Sequence, residues 1–114
     1  MATIGKNVWG PTKWYELHTA AISYPVNPSR DEKVDMRIWF WRFVYVLPCV
    51  ECRTHATEYA SKYPPDVSGG REFQTWAWRF HNAVNSRLKK PLMSVEMYHK
   101  AYQNEIDKAY AKYL

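Results

Sequence analysis

The sequence predicts an all-α domain, a four-helix up-and-down bundle with an additional fifth helix. Its 114 residues suffice for one domain with a single core. Apolar residues recur at helical spacing, and no segment shows the sustained apolar–polar alternation of a half-buried strand. Seven prolines separate the helical segments, each where a helix could begin or has just ended. The whole chain, residues 1–114, is therefore predicted to be one helical domain.

The first two predicted helices follow prolines. The first covers residues 12–24, and its apolar face consists of Trp14, Leu17, His18 and Ala21. The second opens at Ser29 with a capping box, in which a serine precedes a glutamate by three residues and acidic side chains occupy the first turn. Its predicted apolar face consists of Val34, Ile38, Trp41 and Tyr45.

Three more helices complete the prediction. The third starts at Pro48 and ends before Pro64 and Pro65. The fourth follows a Ser-Gly-Gly turn and runs from Arg71 to about Lys89. Its apolar stripe consists of Phe73, Trp76, Ala77, Phe80, Val84 and Leu88. The fifth helix is expected over about residues 94–113, and four residues lie roughly on one side of it: Tyr98, Tyr102, Ala109 and Tyr113.

Composition limits the class of protein. Hydrophobic residues at 46% and charged residues at 24% are typical of a folded chain. The longest apolar stretch, residues 43–50, is too short to cross a membrane and is interrupted by Pro48. A net charge of +5 permits anionic partners, but the basic residues are spread over the whole chain. An aromatic fraction of 17% suggests either a core built on rings or a flat ligand held between them.

The only two cysteines, Cys49 and Cys52, form a Cys-x-x-Cys motif directly after the proline that starts the third helix. The first-turn amides and the positive end of the helix dipole favour the thiolate, which is the nucleophile in disulfide exchange. Redox activity is the favoured interpretation, and a reduced core pair or half of a metal site are the alternatives. The spacings of His55, His81 and His99 do not match a Cys2His2 zinc site. A thioredoxin-like motif would need a βαβ pattern, which is missing.

A second stretch, residues 81–91, combines polar groups with apolar surface. On a helix His81, Asn85 and Leu88 share a face, with Asn82 beside them, a mixture that suits the edge of a heterocycle. Taken alone, this strip favours a structural role slightly over ligand binding. Three basic residues at the helix end could contact a pyrophosphate or simply complement the helix dipole: Arg87, Lys89 and Lys90.

A third stretch, residues 9–19, places Trp14 and His18 one helical turn apart. Gly10 precedes them and would let the backbone approach a ligand closely. Either aromatic residue alone could equally belong to the core.

In their order along the chain, these stretches resemble the Erv/ALR family of FAD-dependent sulfhydryl oxidases. The family pattern runs Gly-x3-Trp-x2-Leu-His-Thr, Tyr-Pro, Pro-Cys-x2-Cys-x2-His, Trp, and His-Asn-x-Val-Asn-x2-Leu-x-Lys. The matching positions, between residues 9 and 91, are Gly10, Trp14, Leu17-His18-Thr19, Tyr24-Pro25, Pro48-Cys49, Cys52, His55, Trp76, His81-Asn82, Val84-Asn85, Leu88 and Lys90. Each piece alone is weak, but the ordered set at compatible spacing is specific.

The resemblance implies a helical bundle that cradles FAD, with the flavin ring beside the cysteine pair. Cys52 is then the flavin-proximal sulfur, which contacts the flavin as a thiolate, and Cys49 is the interchange sulfur that reacts with the substrate dithiol. The positions that match FAD contacts are Gly10, Lys13, Trp14, His18, Tyr24, His55, His81, Asn82, Val84, Asn85, Leu88 and Lys90, together with Tyr102, which falls where the family places an aromatic residue against the adenine.

The chain departs from the family pattern in its cysteines. Many members carry a further disulfide, whose two positions correspond here to Trp78 and Val95, and many have shuttle cysteines outside the core. Both sets are absent, so this protein would oxidise a partner's dithiol directly. Short length and these absences look most like the small oxidases of large cytoplasmic DNA viruses. The expected location is the host cytoplasm or virus factory, or the virion.

The predicted function is oxidation of protein dithiols. Electrons pass through the Cys49–Cys52 disulfide to FAD and then to O2, giving hydrogen peroxide. The expected partners are a protein dithiol, with a thioredoxin-like carrier as one candidate, and a second copy in a homodimer. Aromatic residues on the first two helices leave room for a dimer face: Tyr15, Trp39 and Phe40.

Neither nucleic acid nor a membrane is expected as a partner, and no metal is expected. The rival hypothesis is a basic helical module that binds nucleic acid or an acidic protein, with inert cysteines. It leaves the ordered set of motifs unexplained.

Overall fold

The computed structural model describes residues 5–111, which are helical with short connections and contain no strand. The four longer helices are α1 (Lys6–Ser23), α2 (Arg30–Tyr45), α3 (Val50–Lys62) and α4 (Gly70–Arg87). A C-terminal helix follows, in which α5 (Val95–Tyr98) continues through a π-helical turn (His99–Gln103) into α6 (Asn104–Ala111). The all-α prediction of four helices and a fifth is confirmed. Tyr113, expected on the apolar side of the fifth helix, lies outside the described residues.

Helix α1 begins six residues earlier than predicted, and Pro11 lies inside it rather than before it. Proline lacks the N–H that would donate to the carbonyl four residues back, which belongs here to Asn7. The helix continues because both residues are exposed, so that water can satisfy the free carbonyl. The extra turns place Lys6 and Trp9 on the same helix as Trp14.

Serine caps begin two of the helices. Ser29 Oγ accepts the Glu32 N–H at 3.1 Å, and Glu32 Oε1 accepts the Ser29 N–H at 2.9 Å, which confirms the predicted capping box. Ser94 caps α5 in the same way, because its Oγ accepts the Met97 N–H at 3.1 Å. The starts of α2 and of the C-terminal helix are therefore set by local hydrogen bonds.

The apolar face predicted for α2 is wrong. Its four residues are partly or largely exposed: Val34 at 44%, Ile38 at 49%, Trp41 at 39% and Tyr45 at 76%. The helix instead buries Phe40, Phe43 and Val44. Since α2 is apolar on two sides, periodicity alone could not choose between them. The phenylalanine rings fill the core, where large planar side chains bury the most surface.

The core lies where all four longer helices meet. It is built from Leu17 and Ala21 of α1, Phe40 of α2, Ala56 and Ala60 of α3, and Phe73, Trp76, Ala77 and Phe80 of α4. The Phe40 ring meets the Trp76 ring edge-on, with 5.0 Å between centroids. Most of the predicted α4 stripe is therefore buried as expected, while Val84 and Leu88 at its end are only half-buried.

A histidine pair lies between α1 and α4. His18 has no exposed surface, and its Nε2 lies 2.9 Å from Nδ1 of the buried His81, so one ring donates a hydrogen bond to the other. Burial lowers the pKa of His18 to about 3, with His81 adding to the effect. Burial also lowers the pKa of His81 to about 4, with Lys90 adding to the effect. Both rings are therefore neutral at pH 7.

Lys89 follows the C-terminal end of α4, and its φ of 58° lies in the left-handed region. The Lys89 N–H donates to the Ser86 carbonyl at 3.1 Å, and the Lys90 N–H donates to the Asn85 carbonyl at 2.8 Å. This pair of bonds is the Schellman motif, which usually has glycine at the left-handed position. A lysine there carries a steric cost that glycine would not.

The histidine pair makes stability depend on pH. Both rings bind protons more weakly in the folded state, so the unfolded state takes up more protons as the pH falls below about 6.5. The free energy of unfolding should therefore fall from pH 7 to about pH 5, as urea denaturation would measure. His81→Asn removes one of the two rings and should show a smaller fall. The exposed His99 supplies the control, and an equal fall in H81N and H99Q would contradict this account.

Replacing Lys89 by glycine should stabilise the fold. Lys89→Gly relieves the left-handed strain and should raise the free energy of unfolding by up to about 1 kcal/mol. Ser86→Gly is the control, because it puts glycine at an exposed position inside α4 and should cost about 1 kcal/mol. Urea denaturation of both variants decides the point, and a loss of stability in K89G would refute it.

Candidate active site

Cys49 and Cys52 are joined by a disulfide at the start of α3, with their Cα atoms 5.2 Å apart. Cys49 is the N-cap residue, and its sulfur accepts the N–H of Cys52 at 3.1 Å. The helix thus begins at Val50, two residues after the predicted start at Pro48. The first-turn amides of α3 can stabilise negative charge on the Cys49 sulfur once the disulfide opens.

The two sulfurs lie in different surroundings. Cys52 packs against the core and lines a cavity. Cys49 does not line this cavity, and its chain neighbours Pro48 and Val50 are exposed, Val50 at 70%. The disulfide therefore has an outer sulfur, that of Cys49, and an inner sulfur, that of Cys52.

A cavity of about 330 Å³ lies beside the inner sulfur and is bounded by all four longer helices. Its walls include six large apolar side chains: Trp9, Trp14, Phe43, Leu47, Tyr59 and Phe80. Gly10 also borders it, and a Cβ at that position would meet no atom within 4 Å. The volume and the aromatic lining are typical of a site for a small molecule or cofactor.

Positive charge surrounds the cavity. Five of its lining residues are cationic: Lys6, Lys13, Lys62, Arg87 and Lys90. The one carboxylate in the lining, that of Glu58, has an oxygen 3.8 Å from Nδ1 of His55. Cations beside an aromatic cavity suit a ligand in which a pyrophosphate links two flat ring systems. The residues present therefore fit FAD, the cofactor that the resemblance implies.

Glu51, between the two cysteines, links the cysteine turn to α4. Its Oε1 lies 3.7 Å from Nε2 of His55 and 3.7 Å from Nη1 of Arg87. His55 and Arg87 both line the cavity. The exposed carboxylate thus connects α3 and α4 across the edge of the site, where solvent screening makes such a pair weak.

A stack of rings extends from Trp14 away from the cavity. Trp14 lies parallel to His81, with ring centroids 3.8 Å apart and an interplanar angle of 6°. His81 bonds His18, and the Tyr102 ring lies 4.3 Å from the His18 ring. Nδ1 of His18 is buried without a hydrogen-bond partner. Three predicted cofactor contacts, His18, His81 and Tyr102, therefore form one assembly behind the cavity wall.

The structure brings eight of the predicted site residues to the cavity: Gly10, Lys13, Trp14, Cys52, His55, Val84, Leu88 and Lys90. The other seven do not line it: Cys49 carries the outer sulfur, His18, His81 and Tyr102 form the ring assembly, and Tyr24, Asn82 and Asn85 lie elsewhere. Tyr24 is in the core, where its hydroxyl donates to the Val67 carbonyl at 2.7 Å. Both ends of the Asn82 amide bond the backbone of Met93. Asn85 is half-buried and accepts the Lys90 N–H on its backbone carbonyl.

Sequence reasoning did not identify several residues of the cavity. The apolar ones are Trp9, Phe43, Leu47, Tyr59 and Phe80, and the cationic ones are Lys6 and Lys62. The aromatic fraction of 17% was the one signal for the first group, because it pointed to rings around a flat ligand. Lys6 carried no signal, since it lies in helical turns that were not predicted.

Among the described residues, 5–111, no group of three or more His, Cys, Asp or Glu residues could hold a metal ion. The zinc alternative therefore finds no ligand set in the described part of the chain. Over the same range, none of the helices combines the length and the apolar character needed to cross a membrane.

The chain is similar to known proteins along most of its length. The sequence profile of the Erv1 / Alr family matches residues 11–106. An FAD-linked sulfhydryl oxidase of African swine fever virus is 39% identical over 98 residues, which cover 86% of this chain and 82% of that protein. The mitochondrial FAD-linked sulfhydryl oxidase ERV1 of Saccharomyces cerevisiae is 30% identical over 98 residues, covering 86% of this chain and 52% of that protein.

The fold is also similar to solved structures. The crystal structure of the FAD binding domain of Erv1 from Saccharomyces cerevisiae superposes with a TM-score of 0.82 at 28% identity, covering 89% of this chain and 96% of that one. The yeast Erv1 core superposes with a TM-score of 0.81 at 27% identity, covering 90% and 86%. On the combined evidence of its cysteine turn, its cavity, its sequence and its fold, the chain belongs to the Erv1/Alr family.

Proposed function

We propose that this chain is an FAD-dependent thiol oxidase that forms disulfide bonds in protein substrates. One observation carries the proposal: the inner sulfur of a surface disulfide lines an aromatic cavity edged by cations. The relatives from African swine fever virus and yeast are FAD-linked sulfhydryl oxidases, which supports the same activity here. A basic binding module, the rival hypothesis, would account for neither the disulfide nor the cavity.

The outer sulfur is where the substrate reacts. A substrate thiolate attacks Cys49 Sγ, a bond forms between the two sulfurs, and the Cys49–Cys52 bond breaks. Cys52 leaves as a thiolate at the cavity wall and carries the electron pair. A second substrate thiolate attacks the substrate sulfur of the mixed disulfide and releases Cys49 as a thiolate. The two thiol protons of the substrate pass to solvent.

The start of α3 assists both leaving groups. The Cys52 N–H already bonds the Cys49 sulfur at 3.1 Å, so it can stabilise the thiolate that Cys49 becomes in the second step. The positive end of the helix dipole favours negative charge on either sulfur. Leaving groups stabilised in this way depart faster in disulfide exchange.

The cavity supplies the cofactor site. FAD, when bound, accepts the electron pair from the dithiol and passes it to O2, giving hydrogen peroxide. The rings of Trp14, Phe43 and Tyr59 would hold a flat ring system and exclude water beside Cys52. Lys13 and Lys90 would bind the pyrophosphate as charge partners.

We propose a homodimer that uses the exposed stripe of α2. Val34, Ile38, Trp41 and Tyr45 recur at helical spacing along this face and remain accessible. A contiguous apolar patch on a soluble domain often marks an interface, and a two-fold axis would bring two such stripes together. Tyr15 on α1, also expected at that face, is half-exposed, but its ring lies 6.4 Å from the Tyr102 ring of the C-terminal helix. Phe40, one of the residues expected at that face, is fully buried and contributes to the core instead.

The substrate and location follow from the same reasoning. We propose a protein dithiol as substrate, with a thioredoxin-like carrier as one candidate, and O2 as acceptor. Relatives occur in African swine fever virus, Invertebrate iridescent virus 3 and Acanthamoeba polyphaga mimivirus. A viral protein that acts in the host cytoplasm, in the virus factory or in the virion fits these relatives.

Replacing the inner sulfur tests the activity. The purified protein should be yellow, should bleach when a dithiol is added without oxygen, and should regain its colour with oxygen. Cys52→Ser should abolish O2 consumption while leaving the flavin bound, because the electron path is cut but the cavity remains. Thr54→Ser, an exposed change on the same helix, is the control and should keep full activity. Peroxide production from a dithiol by C52S would refute the assignment.

Charge on the α2 stripe tests the dimer. Trp41→Glu places a carboxylate in the proposed interface and should convert a dimer into a monomer in sedimentation velocity, because a buried unpaired charge is costly. Arg71→Glu, an exposed change on α4, should leave the dimer intact. A monomeric wild-type protein at high concentration would disprove the proposed interface.

A further inference from the structure

Two side chains of α4 hold the backbone of one residue beyond the helix. Asn82 Oδ1 accepts the Met93 N–H at 2.7 Å, and Asn82 Nδ2 donates to the Met93 carbonyl at 2.9 Å. Trp78 Nε1 donates to the same carbonyl at 2.9 Å. Met93 is buried, whereas Leu92 and Ser94 on either side are exposed. These three residues, Trp78, Asn82 and Met93, are called the Met93 anchor below.

The Met93 anchor sets the path of the C-terminal helix. Ser94, the next residue, is the cap of that helix. One turn further, Tyr98 is buried, and its hydroxyl lies 3.3 Å from Oε1 of Gln74 on α4. The π-helical turn that follows carries Tyr102, whose ring lies against His18. Trp78 and Asn82 therefore fix the position of the backbone at which residues 94–103 begin.

The C-terminal helix supports the ring stack behind the cavity. Tyr98 and Tyr102 both contact His18, with centroid distances of 5.4 and 4.3 Å. His18 bonds His81, and His81 stacks on Trp14, which lines the cavity. A displaced C-terminal helix would leave one side of this stack open to water. The Met93 anchor thus acts on the cavity wall through three consecutive ring contacts: Tyr102 with His18, His18 with His81, and His81 with Trp14.

The side-chain amide of Asn82 binds the backbone of Met93. Its Oδ1 and one hydrogen of its Nδ2 are bound to Met93, which leaves one N–H and one lone pair of Oδ1 for other partners. The anchor contains no covalent link, since both cysteines of the chain are in the disulfide of α3. A reducing solution therefore leaves the anchor intact.

We propose that Trp78 and Asn82 are positioning residues that hold the C-terminal helix against the ring stack and thereby control how long FAD stays bound. This inference rests on the proposed function for the identity of the cofactor. Asn82 then serves the cofactor through Met93 rather than by contacting it, which differs from the role that the family resemblance implied.

The rate of FAD release from the loaded protein tests this role. Asn82→Ala removes the partner of the buried Met93 N–H and leaves the Met93 carbonyl bonded to Trp78 Nε1 alone. It should raise the release rate about tenfold, which corresponds to about 1.4 kcal/mol. Trp78→Phe keeps a ring but removes the Nε1–H, and should raise the rate less. Thr57→Ala, at an exposed position of α3, is the control and should leave the release rate unchanged. The measurement is the fluorescence of free FAD after dilution.

Hydrogen exchange separates a local effect from a general loss of stability. In N82A the amides of residues 91–103 should exchange faster, while those of α2 and α3 keep their wild-type protection. An unchanged release rate in folded N82A, or exchange that rises equally in every helix, would overturn the proposal. If the wild-type protein takes up no FAD, the proposed function fails instead, and the exchange pattern alone decides whether the Met93 anchor holds the C-terminal helix.

Discussion

The packing of α1 against α4 is the constraint on which the rest of the molecule depends. At its centre, Nε2 of the fully buried His18 and Nδ1 of His81 share a hydrogen bond, which limits how far the two helices can slide. The residues of α1 that flank His18 have different structural roles. Leu17 and Ala21 complete the core, and Trp14 forms a wall of the cavity. The geometry of the site therefore depends on the same contact that fixes the fold.

The disulfide lies at the start of α3, and its two sulfurs have different surroundings. A spacing of three residues is short enough for the sulfurs to bond, and of the two residues only Cys52 lines the cavity. In the proposed function, the substrate thiol attacks at Cys49 and the electron pair leaves through Cys52 at the cavity wall. A single covalent bond then joins the place of exchange to the cofactor site.

The sequence predicted those parts of the fold that have local causes. The capping box at Ser29, the apolar stripe of α4 and the position of the cysteine turn all depend on neighbouring residues. The face of α2 does not, because two apolar sides compete and tertiary packing selects the one with Phe40. The cavity walls also depend on how four helices approach each other, so Phe43 and Tyr59 were missed. Among the predicted site residues that line the cavity, His55 and Val84 entered the prediction as cofactor contacts through the family resemblance, and helical periodicity would not have given them that role.

The chain has just two cysteines, and both are in the reactive pair. An enzyme that generates disulfides works among its own products, and any spare thiol on its surface would become a target. This chain offers none, so no third thiol within it can divert the pair into a mispaired intramolecular disulfide. Every mixed disulfide that it forms must join it to another molecule. Trapping such an adduct in a mixture of proteins would therefore identify a substrate directly.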